Sequence, residues 1–264
     1  MIKSQYLGVF HSGKDLFDVQ LLRTHETIKG FNLFMGILKE LIVNAKPTAT
    51  HSFIKKLADM KKLKRVYIQN IDNLEELVGF DINWQFERVK NCKAQVVQLH
   101  RTLSKLRCNA CTNICPFTPQ YCDIFKEGEA PNCPECVERG KYIKYRIFLN
   151  KIIQNNIFNN MFLIINRKQK VKQGKRPHFI GQLKPTVILY SDTHPKGLEI
   201  SQIAKRDQDK ADCLLIMGTS LRIPGIKDLI KGFARAVHGR GSCVILVNAK
   251  DVANKEGMVL LIIK

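Results

Sequence analysis

The sequence contains few acidic residues for its length. Asp and Glu number 23 among 264 residues, whereas Lys and Arg number 43, so the formal net charge is +20. A surplus of this size favours an acidic partner such as nucleic acid or chromatin. Two basic runs, KKLKR (61–65) and RKQKVKQGKR (167–176), fit nuclear import or nucleic-acid contact, and fit solvated faces of helices and loops equally well.

Long apolar segments are also missing. The stretch IIQNNIFNNMFLIIN is interrupted by Asn, and the terminal MVLLIIK is far shorter than the roughly 20 residues that span a bilayer. We therefore expect no transmembrane helix and no membrane partner. No basic start followed by an apolar segment precedes the nine cysteines, so we expect a reduced intracellular compartment and a metal site, not a secreted disulfide framework.

What the sequence does contain is an alternation of short apolar runs with amphipathic segments. Runs rich in Val and Ile predict strands at RVYIQNI (65–71), AQVVQLH (94–100), TVILYS (186–191), DCLLIMG (212–218) and SCVILVN (242–248). Apolar residues at spacings of three and four predict helices at GFNLFMGILKELIVNAK (30–46), THSFIKKLADMKK (50–62) and GIKDLIKGFARAVHG (225–239). This order predicts an α/β fold with a parallel sheet covered by helices on both faces.

The interval from 101 to 180 interrupts the alternation, because it is first rich in Cys and then rich in Ile, Asn and Lys. We expect a sheet domain formed by residues 1–100 and 181–264, with a small domain inserted at 101–180. Ligands of parallel sheets bind outside the carboxyl ends of the strands, so polar residues there are candidates for function. They stand at 69–72, 100, 190–192, 218–220 and 248.

Two CxxC pairs, 21 residues apart, lie within the predicted insertion, and their cysteines are Cys108, Cys111, Cys133 and Cys136. Each pair can place two thiolates on one ion, so together they predict a tetrahedral zinc site. Four thiolates leave no position for water, which makes the site structural. Cys115 or Cys122 could replace one ligand, although the spacing favours the two pairs. We expect Cys92, Cys213 and Cys243 to be small buried hydrophobic residues.

Six motifs occur together in the order and spacing of one protein family. They are QNIDNLE, VVQLH, the two cysteine pairs, GQLKPTVILY, LIMGTSL and LVNA. In these motifs, between about residues 13 and 248, the chain resembles the sirtuins, which are NAD-dependent protein deacylases. Through SGKDLFD, KPTATH and GIKDLIKGFARAVH it is most similar to the fungal nuclear branch that acts on histones. The resemblance implies a large Rossmann-like domain, a small zinc domain, and a cleft between them for NAD and acetyl-lysine.

The resemblance also implies roles for individual residues. His100 would be the general base that takes a proton from a hydroxyl of the nicotinamide ribose, work that suits an imidazole with a pKa near neutrality. The other cofactor-binding residues fall into two sets. Gln69, Asn70 and Asp72 would line the pocket for the nicotinamide and its ribose. Gly218, Thr219, Ser220 and Asn248 would bind the pyrophosphate and the adenine-side ribose.

The implied reaction is attack of the acetyl oxygen on the ribose with loss of nicotinamide, followed by release of lysine and acetyl-ADP-ribose. The resemblance implies an acetylated protein substrate, a histone in the nucleus, and association with chromatin. Residues of LKPTVILYS would pair with the substrate peptide as a strand. NAD and zinc are the implied cofactors.

The chain differs from the family at several positions. The motifs GAGIS and GIPDFR do not occur in it, so we expect the sheet to lack its first strand and to leave two neighbouring strands with unpaired edges. Asn73, Arg101 and Ser191 stand where the family has Gly. We expect Arg101 to crowd the cleft and to lower the pKa of His100 by charge repulsion.

Two other functions fit the same residues. One is a catalytically inactive sirtuin fragment that serves as a zinc-stabilised module for binding protein or chromatin. The other is a zinc ribbon that binds nucleic acid, which ranks last because NICPFTPQYCDIF, between the cysteine pairs, has aromatic residues but few cations. The segment at 141–170 is expected to be an insertion beyond what the family has after its second cysteine pair.

Overall fold

The computed structural model describes residues 10, 15–82, 92, 94–140, 180–219, 221 and 223–248, and the backbone of a strand at 259–263. The predicted insertion at 141–170 and the basic run at 167–176 lie outside these ranges. The helices are α1 (His25–Val43), α2 (Ala49–Asp59), α3 (Leu74–Leu77), α4 (Pro119–Lys126), α5 (Gly197–Gln208) and α6 (Pro224–His238). Residues 134–140 are also helical, and two short 3-10 helices, Asp15–Phe17 and Val19–Leu21, precede α1.

The strands form two sheets. They are β1 (Leu63–Ile68), β2 (Val96–Gln98), β3 (Lys105–Cys108), β4 (Ile114–Pro116), β5 (Leu183–Pro185), β6 (Cys213–Met217), β7 (Cys243–Val247) and β8 (Val259–Ile263). The larger sheet has the order β2-β1-β8-β6-β7, and the smaller has the order β4-β3-β5. Among the described helices, none is both long and apolar enough to span a membrane.

The larger sheet carries helices on both faces. Tyr67 and Leu214 point to one face, where they pack in a core that also holds Phe233 of α6. The neighbouring strand residues Val66 and Leu215 pack on the other face with residues of α2. This alternation along β1 and β6 buries both sides of the strands, as it does in layered α/β proteins. The predicted α/β architecture is confirmed.

The expected gap in the larger sheet is filled, so the prediction of unpaired edges is wrong. β1 is parallel to β2, and β6 is parallel to β7. Between these two pairs lies β8, which is antiparallel to both β1 and β6. Leu261 of β8 stands opposite Val66 on one side and opposite Leu215 on the other. The backbone of β8 therefore supplies the hydrogen-bond partners that a missing central strand would leave without, and the sheet is mixed.

A buried ionic network ties β1 to α5. Nε of Arg65 lies 2.5 Å from Oδ2 of Asp207, and the Tyr67 hydroxyl donates to the same oxygen at 2.7 Å. Arg65 and Asp207 are only 4% and 3% exposed. The guanidinium also donates to the carbonyl oxygens of Cys92 and Ala94. The run KKLKR is therefore not uniformly a solvated face, because its last residue lies in the core.

The smaller sheet packs against α1 and α4. Phe31 and Met35 of α1, Leu106 of β3 and Phe125 of α4 lie in one buried cluster. A Cβ on Gly36 would lie 2.8 Å from the backbone nitrogen of Lys126, so α1 and α4 approach more closely than a side chain allows. β3 pairs antiparallel with β4 and with β5. β5 thus belongs to the smaller sheet although it follows the boundary expected at residue 180.

The strand predicted at 186–191 is wrong, because β5 ends at Pro185. The residues that follow are held by other partners: the N–H groups of Thr186, Ile188 and Tyr190 donate to the carbonyl oxygens of Lys105, His100 and Phe17. In an extended segment alternate residues present their N–H and C=O groups to the same side. The backbone groups of Val187 and the N–H of Leu189 are therefore directed to the opposite side, while the carbonyl of Leu189 accepts the N–H of Asp192 at 3.2 Å.

Candidate functional site

A cleft of about 930 Å³ opens at the carboxyl ends of β1 and β2. One wall is the turn after β1, with Gln69, Asn70 and Asp72, together with His100 just beyond β2. Residues 187–192 form a second wall, joined to the first where the N–H of Ile188 donates to the carbonyl of His100, and the first turn of α6 contributes residues 223–226. Both walls are strand ends or extended chain, so backbone and side-chain polar groups converge on one space. The structure thus brings together four of the residues predicted to bind or activate a ligand.

His100 is held by the turn that faces it. Its side chain hydrogen-bonds to the backbone of Gln69, which engages one ring nitrogen. Burial lowers the pKa of His100, and this hydrogen bond acts in the opposite direction. A lowered pKa keeps the imidazole neutral, so the second nitrogen retains the lone pair that a general base requires.

The expected effect of Arg101 on His100 is wrong. Arg101 is 4% exposed and is not among the described residues that line the cleft, so it does not crowd it. The lowered pKa of His100 has burial as its cause. The charge of Arg101 acts on a different imidazole, that of His194.

His194 is a residue that sequence reasoning missed. It lines the cleft, and its Nδ1 accepts the backbone N–H of Lys196 at 3.0 Å. Burial lowers its pKa to about 4, helped by the charges of Arg101 and His100. Nδ1 is an acceptor, so the proton of the neutral ring is on Nε2, which is buried and has no hydrogen-bond partner in the part of the chain that the structure describes. A single His after Tyr-Ser-Asp-Thr gives no pattern that would have identified it.

The turn after β1 is braced from β2. Oδ1 of Asp72 accepts the N–H of Leu74 at 3.2 Å. The Asn73 side chain accepts from Nε2 of Gln98 at 2.7 Å and donates to Oγ of Ser104 at 3.1 Å. Gln98 is 3% exposed. The sequence predicts it only as part of a strand. Its amide fixes the turn that presents the polar residues to the cleft.

Three cleft-side turns adopt the left-handed conformation without glycine. The φ angles are 62° at Asn73, 60° at Arg101 and 64° at Ser191. These are the three positions at which the resembled family has Gly, a residue that enters this region without a steric penalty. Asn tolerates it better than most residues, whereas Arg and Ser pay the cost of a crowded Cβ.

The remaining candidate residues form a second group, at the ends of β6 and β7. The carbonyl of Thr219 accepts from Nδ2 of Asn248 at 2.8 Å, and the N–H of Gly218 donates to the carbonyl of Val247 at 2.9 Å. Oγ1 of Thr219 accepts the N–H of Leu221 at 2.9 Å. Gly218, Thr219 and Asn248 are not among the described residues that line the cleft. Ser220 lies outside the described residues.

The four cysteines of the CxxC pairs converge beside the smaller sheet. Sγ of Cys108 lies 3.7 Å from Sγ of Cys136, Sγ of Cys111 lies 3.7 Å from Sγ of Cys133, and all four lie within 4.8 Å of one another. Four thiolates at 2.3 Å from a tetrahedral zinc ion stand about 3.8 Å apart. The sulfur positions therefore fit a zinc ion.

The surroundings of the sulfurs also fit a metal. The N–H groups of Ala110 and Cys111 each lie 3.3 Å from Sγ of Cys108. Burial opposes ionisation of this thiol, yet these two donors and the thiols of Cys111 and Cys133 together lower its pKa to about 7. A Cβ on Gly181 would lie 2.4 Å from the same sulfur, so only glycine fits beside it.

The other cysteines lie apart from this cluster. Sγ of Cys122 donates to the carbonyl of Gly36 at 3.1 Å, and Cys115 is not among the four gathered thiols. Cys213 and Cys243 face each other across β6 and β7, with their sulfurs 3.5 Å apart. The expectation that Cys243 is buried is wrong, since it lies exposed on the edge strand β7. Cys92 and Cys213 are half-buried.

The sequence matches one family over most of its length. The Sir2 family profile covers residues 10–224. The chain belongs to the Sir2 family. This confirms the resemblance read from the motifs and supports NAD as a cofactor, since members of the family are NAD-dependent. The four gathered thiols support zinc as the other.

Fungal histone deacetylases share about a third of the residues of this sirtuin chain. The NAD-dependent histone deacetylase HST3 of Candida albicans is 34% identical over 259 residues, covering 94% of this chain and 47% of HST3. HST3 of Saccharomyces cerevisiae is 34% identical over 262 residues, covering 96% of this chain and 52% of that protein. The chain thus spans about half the length of these relatives.

Solved sirtuin structures share the fold. Sir2Tm bound to a propionylated peptide has a TM-score of 0.60 at 16% identity, over 90% of this chain and 73% of that one. A Sir2 complex with a p53 peptide and NAD⁺ has a TM-score of 0.58 at 17% identity, over 91% of this chain and 79% of that one. The predicted Rossmann-like sirtuin architecture is therefore confirmed.

Proposed function

We propose that this sirtuin chain is the catalytic region of an NAD-dependent protein deacetylase. The observation that carries the proposal is the convergence of Gln69, Asn70, Asp72 and His100 in one cleft, beside an extended segment that lines the same cleft. The first group supplies the donors and acceptors that a carboxamide and a ribose need. The second supplies a place for a peptide strand.

His100 would act as the general base. Its ring is oriented by the backbone of Gln69 and kept neutral by burial, so its second nitrogen can take a proton from a ribose hydroxyl. Bound NAD would supply the ribose that receives the acetyl group and the nicotinamide that leaves. Gln69, Asn70 and Asp72 would hold the nicotinamide end, and Gly218, Thr219, Ser220 and Asn248 the adenine end.

The substrate peptide would lie along residues 187–189. Val187, Leu189 and Tyr190 line the cleft, and the alternate backbone groups of this segment already bond to the protein on the other side. A peptide that adds along the backbone of Val187 and the N–H of Leu189 would gain main-chain hydrogen bonds, which hold many sequences in the same way. Side chains around the cleft would then select the residue that enters it.

The four-cysteine cluster would hold a structural zinc ion. All four positions are thiolates, so no site remains for water or substrate, and the ion would fasten the turn after β3 to the helix at 134–140. We assign residues 101–180 together with β5 to this small domain, and the rest of residues 1–100 and 181–264 to the NAD-binding domain. The cleft would then lie where the two meet.

Histones in the nucleus are the proposed substrates. The fungal relatives are named histone deacetylases, and the net charge of +20 suits association with chromatin. The names belong to relatives that are about twice as long as this chain.

A second candidate function is a zinc-stabilised module that binds protein or chromatin without catalysis. The observation that favours it is β8, which occupies the centre of the sheet with antiparallel polarity in a chain without GAGIS. A strand of this polarity does not deliver its carboxyl end to the edge where the cleft lies, so it cannot present a phosphate-binding turn there.

NAD titration of the zinc-loaded protein separates the two candidates. The enzyme hypothesis predicts a rise in melting temperature that grows with NAD concentration, as binding to the native state requires. The rise should disappear in Asn70→Ala and persist in Asn44→Ala, an exposed asparagine at the end of α1. One zinc ion per chain with no NAD-dependent shift would instead support the inactive module.

A further inference from the structure

A second pocket, of about 270 Å³, lies beside the cleft where β3 and β5 meet α1. Phe31, Leu183 and Pro185 give it apolar walls, and Arg107 and Lys184 give it two cations. Val187, Leu189 and Asp192 line both this pocket and the main cleft. A ligand in one space is therefore next to a ligand in the other.

The two cations stand directly opposite each other. Arg107 of β3 is the register partner of Lys184 of β5 in an antiparallel pair, so their side chains share one face. Like charges at directly opposed positions destabilise a sheet. Lys184 is exposed on its outer side, but desolvation by the atoms around it lowers its pKa, the charge of Arg107 lowers it further, and the charge of Asp192 opposes both. Arg107 also depresses the pKa of Arg101, after burial, so three cations share this region.

The positive charge is poorly compensated. The acid beside Arg107 is Asp192, whose Oδ2 lies 4.0 Å from Nη2 of Arg107, which is the limit of an ion pair. Nε of Arg107 is buried and has no hydrogen-bond partner among the described residues. A buried guanidinium N–H without an acceptor carries a desolvation cost, and a planar guanidinium fits a carboxylate or phosphate with two parallel hydrogen bonds.

We propose that this pocket binds an anionic side chain, carboxylate or phosphate, of the peptide whose acetyl-lysine enters the main cleft. The inference rests on the proposed function, because a peptide along 187–189 passes the mouth of the pocket. The apolar walls would contact the methylene groups of the side chain, while Arg107 and Lys184 would bind its charged end. The pocket would make the enzyme select acetyl-lysines that have an acidic or phosphorylated neighbour.

Peptide binding tests the proposal. Labelled acetyl-lysine peptides, with Glu, phosphoserine or Gln placed in turn at each of the three positions on either side, are titrated with zinc-loaded protein and followed by fluorescence anisotropy. At one position the Glu and phosphoserine peptides should bind about tenfold more tightly than the Gln peptide. That preference should vanish in Lys184→Gln and Arg107→Gln, and survive in Lys231→Gln, an exposed lysine of α6. Equal affinity for all three peptides at every position would overturn the proposal.

A titration with inorganic phosphate shows whether the pocket binds an anion that belongs to the peptide or a free anion. If no acetyl peptide binds, the proposed function fails, and the assignment of a peptide anion fails with it. Phosphate could raise the melting temperature of the wild-type protein but not of Lys184→Gln, while the Glu, phosphoserine and Gln peptides bind with equal affinity. That result would indicate a site for a free anion and would also overturn the proposal. Phosphate that competes with the Glu peptide for the same site would support it.

Discussion

Glu75 should make the protein less stable as the pH rises through neutrality. Its side chain is 1% exposed at the start of α3, and neither carboxyl oxygen accepts a hydrogen bond from the described residues. The nearest basic group is Nε2 of His51, 3.5 Å from Oε1. Burial raises the pKa of Glu75 from 4.5 to about 7, and the charge of Asp72 adds to this effect.

The sign and size follow from the two pKa values. A group whose pKa is raised by folding contributes stability that is fully present below its unfolded pKa of 4.5 and is lost as the pH rises to its folded pKa of about 7. A shift of this size corresponds to about 3 kcal/mol. Glu75→Gln removes the titration, so its stability relative to the wild type should rise by about this amount between pH 4.5 and pH 8.

Urea unfolding at intervals across this range measures the difference. Both proteins carry His51→Gln in this comparison, because the ring of His51 lies 3.5 Å from Glu75 and its titration would otherwise differ between them. Glu76→Gln is the matched control, because Glu76 is the exposed neighbour and its loss should leave the pH profile unchanged. If the free energies of unfolding of the proteins with and without Glu75→Gln change in parallel with pH, the raised pKa of Glu75 is refuted.

Four further predictions concern the core, the metal centre and the cleft. Asp207→Asn leaves the buried charge of Arg65 unpaired and should lower the free energy of unfolding by about 3–5 kcal/mol, more than Tyr67→Phe; equal losses in urea unfolding would contradict this. Gly181→Ala should reduce bound zinc, measured by atomic emission, whereas Gly197→Ala, whose Cβ would lie 3.7 Å from its nearest neighbour, should keep one ion per chain. Ser191→Gly relieves a left-handed backbone and should raise stability by up to about 1 kcal/mol, while Ser52→Gly within α2 should lower it; a loss at both positions would argue against strain at Ser191. The acid limb of the kcat/KM profile should fall below pH 6.5, because burial lowers the pKa of His100; a limb above that value would contradict the role given to burial.

Local patterns in the sequence account for most of the fold. Strands β1, β2, β6 and β7 and helices α1, α2 and α6 lie where apolar periodicity predicts them, because each buries a stripe or a face that its own residues define. β8 was missed because its place depends on pairing with β1 and β6, which are far away in sequence. The strand expected at 186–191 failed because its backbone partners come from three separate segments.

The site divides in a similar way. Residues 69–72 and His100 could be predicted as neighbours because parallel strands deliver their carboxyl ends to one edge, and the cysteine cluster because spacing alone limits how four thiols can meet. Gln98 and His194 could not, since their roles arise from tertiary contacts that no motif encodes. The error about Arg101 has the same origin: its sequence neighbour is His100, but its charge reaches His194.

The ratio of nicotinamide released to acetyl groups removed is the most direct test of the account. Zinc-loaded protein is incubated with NAD and an acetylated histone peptide, and both products are quantified by mass spectrometry. If the protein is an NAD-dependent deacetylase, we expect one nicotinamide for each acetyl group removed. Both products should be lost in His100→Ala and retained in His238→Ala, an exposed histidine at the end of α6. No nicotinamide from the wild-type protein, or equal release by His100→Ala, would contradict it.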